Sequence, residues 1–154
     1  MIESGDFGSI LELGPTDSTF YPPLVHAVGG IAAALDLRIE DWGTIAVNIV
    51  FVPLLAAGCY LTGRLVYGPT AGMLAAIFAL GSPLVLSLFH DFLLDAPLVA
   101  MIAITVWALL ASDRFNKTRA TVLAGALVGL ALLVKPIAPV YLIGPVVVML
   151  LGGG

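Results

Sequence analysis

Apolar residues run along this chain in long blocks, and polar residues collect in the short gaps between them. Five blocks stand out: Trp42 to Thr62, Thr70 to Phe89, Ala96 to Ala111, Ala120 to Val134 and Ile137 to Leu151. A hydrocarbon core about 30 Å thick needs about 20 apolar residues in helical form. The first two blocks meet that length. The third reaches it by starting a turn earlier, while the fourth and fifth, at about 15 residues, fall short. Those two are thinly embedded, extended by flanking residues or, for the fifth, re-entrant. The pattern predicts an all-α, polytopic transmembrane bundle of about five spans.

The gaps carry the punctuation. Residues 1–20 hold Glu3, Asp6, Glu12 and Asp17 without a Lys or Arg, and Gly5, Gly8, Gly14 and Pro15 break any periodicity. They read as an extramembrane loop ahead of a membrane domain over 21–154. Tyr21-Pro22-Pro23-Leu24 fixes an extended entry, after which a helix can start. Leu24 to Leu37 is apolar apart from His26 and Asp36, too short to span, and fits an interfacial or re-entrant helix. His26 near its start is either an interfacial histidine that snorkels or a residue lining a polar cavity. Gly63 to Pro69 reads as a tight turn. Within the blocks, Asn48 should face another helix, Pro53 predicts a kink, and Pro83 lies late in the second span. Gly125-Ala126-Leu127-Val128-Gly129 is a small-xxx-small pattern that allows close helix contact and is common by chance.

Composition sharpens the class. The chain has 154 residues, 60% hydrophobic and 10% charged, with a mean hydropathy of +1.12. A soluble domain of this size has nowhere to bury so much apolar surface. The net charge of −4 argues against nucleic acid as a partner. A single cysteine, Cys59, excludes a disulfide framework and a zinc set. Met1 to Ser18 lacks the basic and apolar regions of a secretory signal.

The basic residues orient the bundle. Arg64 lies between the first and second spans, and Arg114, Lys117 and Arg119 lie between the third and fourth. Those two loops fall on one side, which the positive-inside rule makes cytoplasmic. Residues 1–20, the His90–Asp95 turn and Lys135 then share the opposite, extracytoplasmic face. Topology thus gathers Asp91, Asp95 and Lys135 with Tyr21, His26 and His90.

Ionisable groups beside a bilayer are costly and tend to mark function. Asp95 before Ala96-Pro97 also reads as a plain helix N-cap, and Lys135 as a cation at the negative end of the fourth span. A carboxylate can serve as general base toward a hydroxyl or hold a divalent cation. A lysine can meet a lipid phosphate as a point charge. No Gly-rich phosphate loop, Ser-His-Asp order or His-x-x-x-His pair is present.

Three segments carry a resemblance: Tyr21-Pro22-Pro23-Leu24, Asp95-Ala96-Pro97-Leu98 opening a later span, and Gly129-Leu130-Ala131-Leu132-Leu133-Val134-Lys135-Pro136 closing another. Over Tyr21 to about Tyr141, in order and spacing, the chain resembles the GT-C polyprenyl-phosphate-dependent glycosyltransferases. These are the relatives of protein O-mannosyltransferases and the lipid A aminoarabinose transferase in glycosyltransferase family 39. The resemblance implies transfer of a sugar from a polyprenyl-phosphate donor to a protein, lipid or glycan acceptor outside the cytoplasm, in a prokaryotic cell membrane. It places Asp95 in the catalytic cavity. It puts Lys135 near the donor phosphate and the Tyr21 segment in the cavity wall; His90 and His26 are binding candidates, and Asp91 a candidate carboxylate, only because topology gathers them at the same face. No cofactor is certain; Mg or Mn is the cation such carboxylates would hold. The family's Asp-Glu pair after a first span has no counterpart here, and Pro136 follows the lysine where glycine is common. The expectation is therefore an incomplete or N-terminally truncated member.

Two rival readings belong to other classes. A small transporter calls for ionisable residues at mid-membrane and an internal repeat, but only Asn48 is strongly polar at mid-span and no repeat is visible. A non-catalytic membrane subunit needs only helix-packing surfaces.

Overall fold

The computed structural model describes residues 24, 27, 42–90 and 95–151. Residues 1–20, Tyr21, His26, Asp91 and most of the expected 24–37 helix lie outside the described residues, as do the side chains of Asn48 and His90. Leu24 and Ala27 are helical.

The described residues form six helices and no strand: α1 (Trp42–Tyr67), α2 (Pro69–Leu80), α3 (Pro83–His90), α4 (Asp95–Ala111), α5 (Thr118–Val134) and α6 (Ala138–Leu151). The Gly63–Pro69 turn expected from sequence is much shorter than its residues suggested. α1 continues through Arg64 to Tyr67, and the reversal is confined to Gly68, whose φ of 92° is one a side-chain-bearing residue rarely adopts. Pro69 then opens α2 at a position where its missing N–H does no harm.

The expected second span is broken. Gly81 and Ser82 leave the helix, Pro83 starts a new one, and the two halves bend by 61°. Proline cannot donate to the carbonyl four residues back, so continuing the helix through Pro83 would sacrifice a hydrogen bond and create a clash. Pro53 and Pro145, by contrast, sit inside α1 and α6 without ending them.

Among the described residues, one helix, through Val50–Tyr67, is long and apolar enough by length and composition to cross a membrane, or two if the bent α2–α3 pair counts as one span. α4, α5 and α6 are shorter apolar helices of 17, 17 and 14 residues. The outer surface is apolar: Met73, Ile77, Phe78, Leu84, Val140 and Val148 are all exposed.

α4 is the centre of the bundle and packs against α1, α3, α5 and α6. Its one buried hydroxyl, on Thr105, donates to the Met101 carbonyl at 2.6 Å, so burial leaves that group satisfied. α1 approaches α4 at Gly58, where a Cβ would stand 2.6 Å from the Ile104 nitrogen. α1 and α2 cross at Gly63 and Gly72, where a Cβ on Gly63 would lie 2.8 Å from the Gly72 Cα. The Gly125 and Gly129 pair proposed from sequence as a contact face meets nothing within 4 Å.

The core divides between the two ends of the bundle. One cluster joins Phe51, Leu55, Phe89, Ala96, Leu98, Met101, Val134 and Ala138, with Leu24 packed against it. The other joins Ala108, Leu109, Ala124, Leu142 and Met149. Phe51 and Leu55 of α1 thus meet the start of α4, and Gly58, further along α1, meets the middle of α4, so α1 and α4 run in the same direction. α5 runs against α4, and α6 runs with it. His90, Asp95 and Lys135 therefore share one end, while Tyr67, Ser112 and Lys117 share the other.

Candidate functional site

The site end is assembled from two chain turns anchored by buried apolar residues. At the start of α4, Ala96, Pro97 and Leu98 are all buried. They pin the first turn into the core and leave Asp95, one residue earlier, half-exposed at its rim. At the end of α5, Val134 is fully buried and Lys135 departs from helical geometry with φ −157° and ψ 126°. The Lys135 N–H donates to the Ala131 carbonyl at 3.0 Å, and the Lys135 carbonyl accepts from Ala138 N–H at 3.0 Å. Lys135 is thus held between two core anchors, Val134 and Ala138, with its side chain free to reach outward.

It reaches Asp95. Lys135 Nζ donates to Asp95 Oδ1 at 2.6 Å, the length of a strong charge-assisted hydrogen bond. The two side chains remain 37% and 46% exposed, so the pair sits in an open rim and not in the core. A pair this exposed contributes only about 0–1 kcal/mol in water. Each charge also sits at the helix end that favours it, the carboxylate at an N-terminus and the ammonium at a C-terminus. The two plain readings, cap and helix-end cation, are therefore compatible with the pairing.

Of the residues singled out from sequence, Asp95 and Lys135 are brought together. Leu24, from the Tyr21-Pro22-Pro23-Leu24 segment, packs on the cluster that holds Ala96, Leu98 and Val134, which lies beneath the pair. α3 delivers the His90 backbone to the same end. Asp91, Tyr21 and His26 lie outside the described residues. Asp95 is the only described carboxylate at this end, and an ammonium 2.6 Å away competes with any divalent ion for it. Among the described residues no three His, Cys, Asp or Glu side chains gather to hold a metal.

What this rim offers chemically is a paired anion and cation on rigid helix ends, open to a ligand from outside the bundle. The carboxylate can accept a proton or a hydroxyl hydrogen bond, and the ammonium can meet an oxyanion. Sequence reasoning missed Ser112, a fully buried serine that ties the turn at the other end of the bundle. A lone serine after an apolar run carries no signal of burial.

The family model for dolichyl-phosphate-mannose-protein mannosyltransferase matches residues 21–153, spanning both members of the pair and every described helix. No curated protein and no solved structure matches the chain.

Proposed function

The chain belongs to the dolichyl-phosphate-mannose-protein mannosyltransferase family, whose members are membrane-embedded glycosyltransferases, and from that membership we propose a specific reaction for it. It passes a sugar from a polyprenyl-phosphate donor to a hydroxyl of a protein, lipid or glycan acceptor on the extracytoplasmic face of a multi-pass membrane domain. The observation that carries this reading is the Lys135–Asp95 contact at 2.6 Å, which joins two segments of the matched region at one end of the bundle.

In the proposed step the acceptor oxygen attacks the anomeric carbon of the donor sugar while the bond from that carbon to the phosphate oxygen breaks. The configuration inverts. Asp95 takes the hydroxyl proton as general base, and Lys135 meets the negative charge of the departing lipid phosphate. Asp91, His90, Tyr21 and His26 are proposed to line the cavity around the sugar. The orientation rests on the basic loops: Arg64, Arg114, Lys117 and Arg119 mark the cytoplasmic side, and the ion pair lies at the other.

The test is transfer from a radiolabelled polyprenyl-phosphate sugar in membranes, with protein level followed by immunoblot. Lys135→Ala should raise the donor concentration needed for half-maximal transfer, and Lys135→Arg should lower it again, because either cation can meet a phosphate. Donor dependence identical in wild type and Lys135→Ala would remove the phosphate-binding role.

A further inference from the structure

The end of the bundle opposite the ion pair carries its own organised surface. Arg114 and Lys117 are exposed on the α4–α5 connection, Arg119 is exposed in the first turn of α5, and Arg64 is exposed near the end of α1. Because α1 and α4 run in the same direction, these four cations lie at one end. Among the described residues the only carboxylate there is Asp113. Two aromatic rings accompany them, Tyr67 at 84% exposure and Phe115 at 44%.

The turn that presents these groups is costly by itself. Asp113, Arg114 and Phe115 take φ values of 51°, 57° and 65°, three successive non-glycine residues in the left-handed region. Each such residue costs about 1–2 kcal/mol. Ser112 holds the turn in place. Its hydroxyl donates to the Leu109 carbonyl at 2.6 Å and accepts from the Phe115 N–H at 3.3 Å. Its carbonyl accepts from the Lys117 N–H at 3.0 Å. A second cost is electrostatic. Lys117 caps the N-terminus of α5 without a side-chain cap bond, Arg119 follows in the first turn, and no acidic residue lies in that turn. Cations at the positive end of a helix dipole are unfavourable for the helix. Both costs persist in the isolated chain, and an external anionic surface offsets the second while using what the first displays.

We propose that Arg114, Phe115, Lys117 and Arg119, with Arg64 and Tyr67, form a docking surface for the phosphate headgroups of anionic lipids. Charge complementarity selects that occupant. The cations meet phosphate oxygens, and the two rings settle at headgroup level, where aromatic side chains of membrane proteins are enriched. The surface is independent of the sugar-transfer reading, since it lies at the other end of the bundle from Asp95 and Lys135.

The experiment is native mass spectrometry of the purified full chain in detergent, offered equimolar phosphatidylglycerol and phosphatidylcholine. The wild type should retain phosphatidylglycerol several-fold over phosphatidylcholine. Neutralising Arg114→Gln, Lys117→Gln and Arg119→Gln together should remove that preference and leave the two lipids retained about equally. The charge-conserving Arg114→Lys should keep it. If the triple variant does not fold, the wild type decides alone: its preference should collapse in about 1 M ammonium acetate, where the screening length is about 3 Å. Equal retention of the two lipids by wild type, or a preference that Lys135→Gln abolishes and the triple variant keeps, overturns the proposal. So does a preference abolished by millimolar inorganic phosphate at constant ionic strength, which would make this a site for the free anion.

Discussion

Lys135 Nζ and Asp95 Oδ1 lie 2.6 Å apart although 40 residues separate them in the chain. The pair closes a rim between the first residue of α4 and the residue that follows α5. Its two members are held from below by Pro97, Leu98, Val134 and Ala138, all of them buried. An ion pair whose supports are core residues keeps its geometry while its polar atoms stay open to a ligand.

That arrangement separates stability from activity at Asp95. Asp95→Asn should change stability by at most about 1 kcal/mol, because asparagine serves the first turn of a helix about as well as aspartate and an exposed pair contributes little. Sugar transfer should fall by about 100-fold or more, since the amide cannot take a proton. Transfer in membranes and thermal unfolding in detergent check the two halves. Full turnover at normal expression would reduce Asp95 to a helix-end residue.

Exchanging the charges tests the helix ends. In Asp95→Lys with Lys135→Asp the pair can re-form, yet each charge now opposes its helix dipole, a penalty of about 0.3–1 kcal/mol per site. The double variant should be no less stable than the sum of its two single changes predicts, and still less stable than wild type. A double-mutant cycle in chemical or thermal denaturation reads this directly. Full recovery of wild-type stability would mean that the dipole terms are negligible here.

The glycines should divide by location. Gly72→Ala places a methyl against the Tyr60 backbone, and Gly72 is buried where α1 and α2 cross, so a loss of about 1–3 kcal/mol is expected. Gly125→Ala meets nothing within 4 Å and lies within α5, so it should be neutral or stabilising by up to about 1 kcal/mol. Comparing unfolding midpoints of the two variants suffices. The opposite order would place a helix contact at Gly125 and not at Gly72.

Sidedness can be read by labelling. In a Cys59→Ala background, a cysteine at Asn116, exposed in the α4–α5 turn, should resist an impermeant thiol reagent applied to intact cells and react after permeabilisation. A cysteine at a position within 1–20 should label from outside. External labelling at position 116 would invert the orientation and remove the ion pair from the extracytoplasmic face.

Much of the helix content was legible because apolar blocks and their interruptions are local properties. α4, α5 and α6 begin and end within two residues of where the pattern placed them. The α1 boundary moved because Gly63 and Arg64 resemble a turn by composition, yet a helix tolerates both. Only Gly68, with its left-handed backbone, reverses the chain. The second span broke at Gly81 and Ser82, just ahead of Pro83, whose missing N–H would forfeit a helical hydrogen bond, while Pro53 and Pro145 are accommodated within α1 and α6, so composition alone does not say which proline breaks a helix.

The amino-acid pattern alone specified an apolar, helical chain and the family to which it belongs. It also determined that Asp95 and Lys135 flank apolar helices, since the count of blocks between them puts them at the same end. Helix partnership was left to tertiary structure. Small residues permit close approach on any helix, but only packing decides which face finds a neighbour. Gly63 and Gly72 form the crossing, while Gly125 and Gly129 face open space. The 2.6 Å contact itself is also a tertiary fact. A shared end of a bundle allows separations of many ångströms, and it is the burial of Val134 and Ala138 against the first turn of α4 that sets the lysine within reach of the carboxylate.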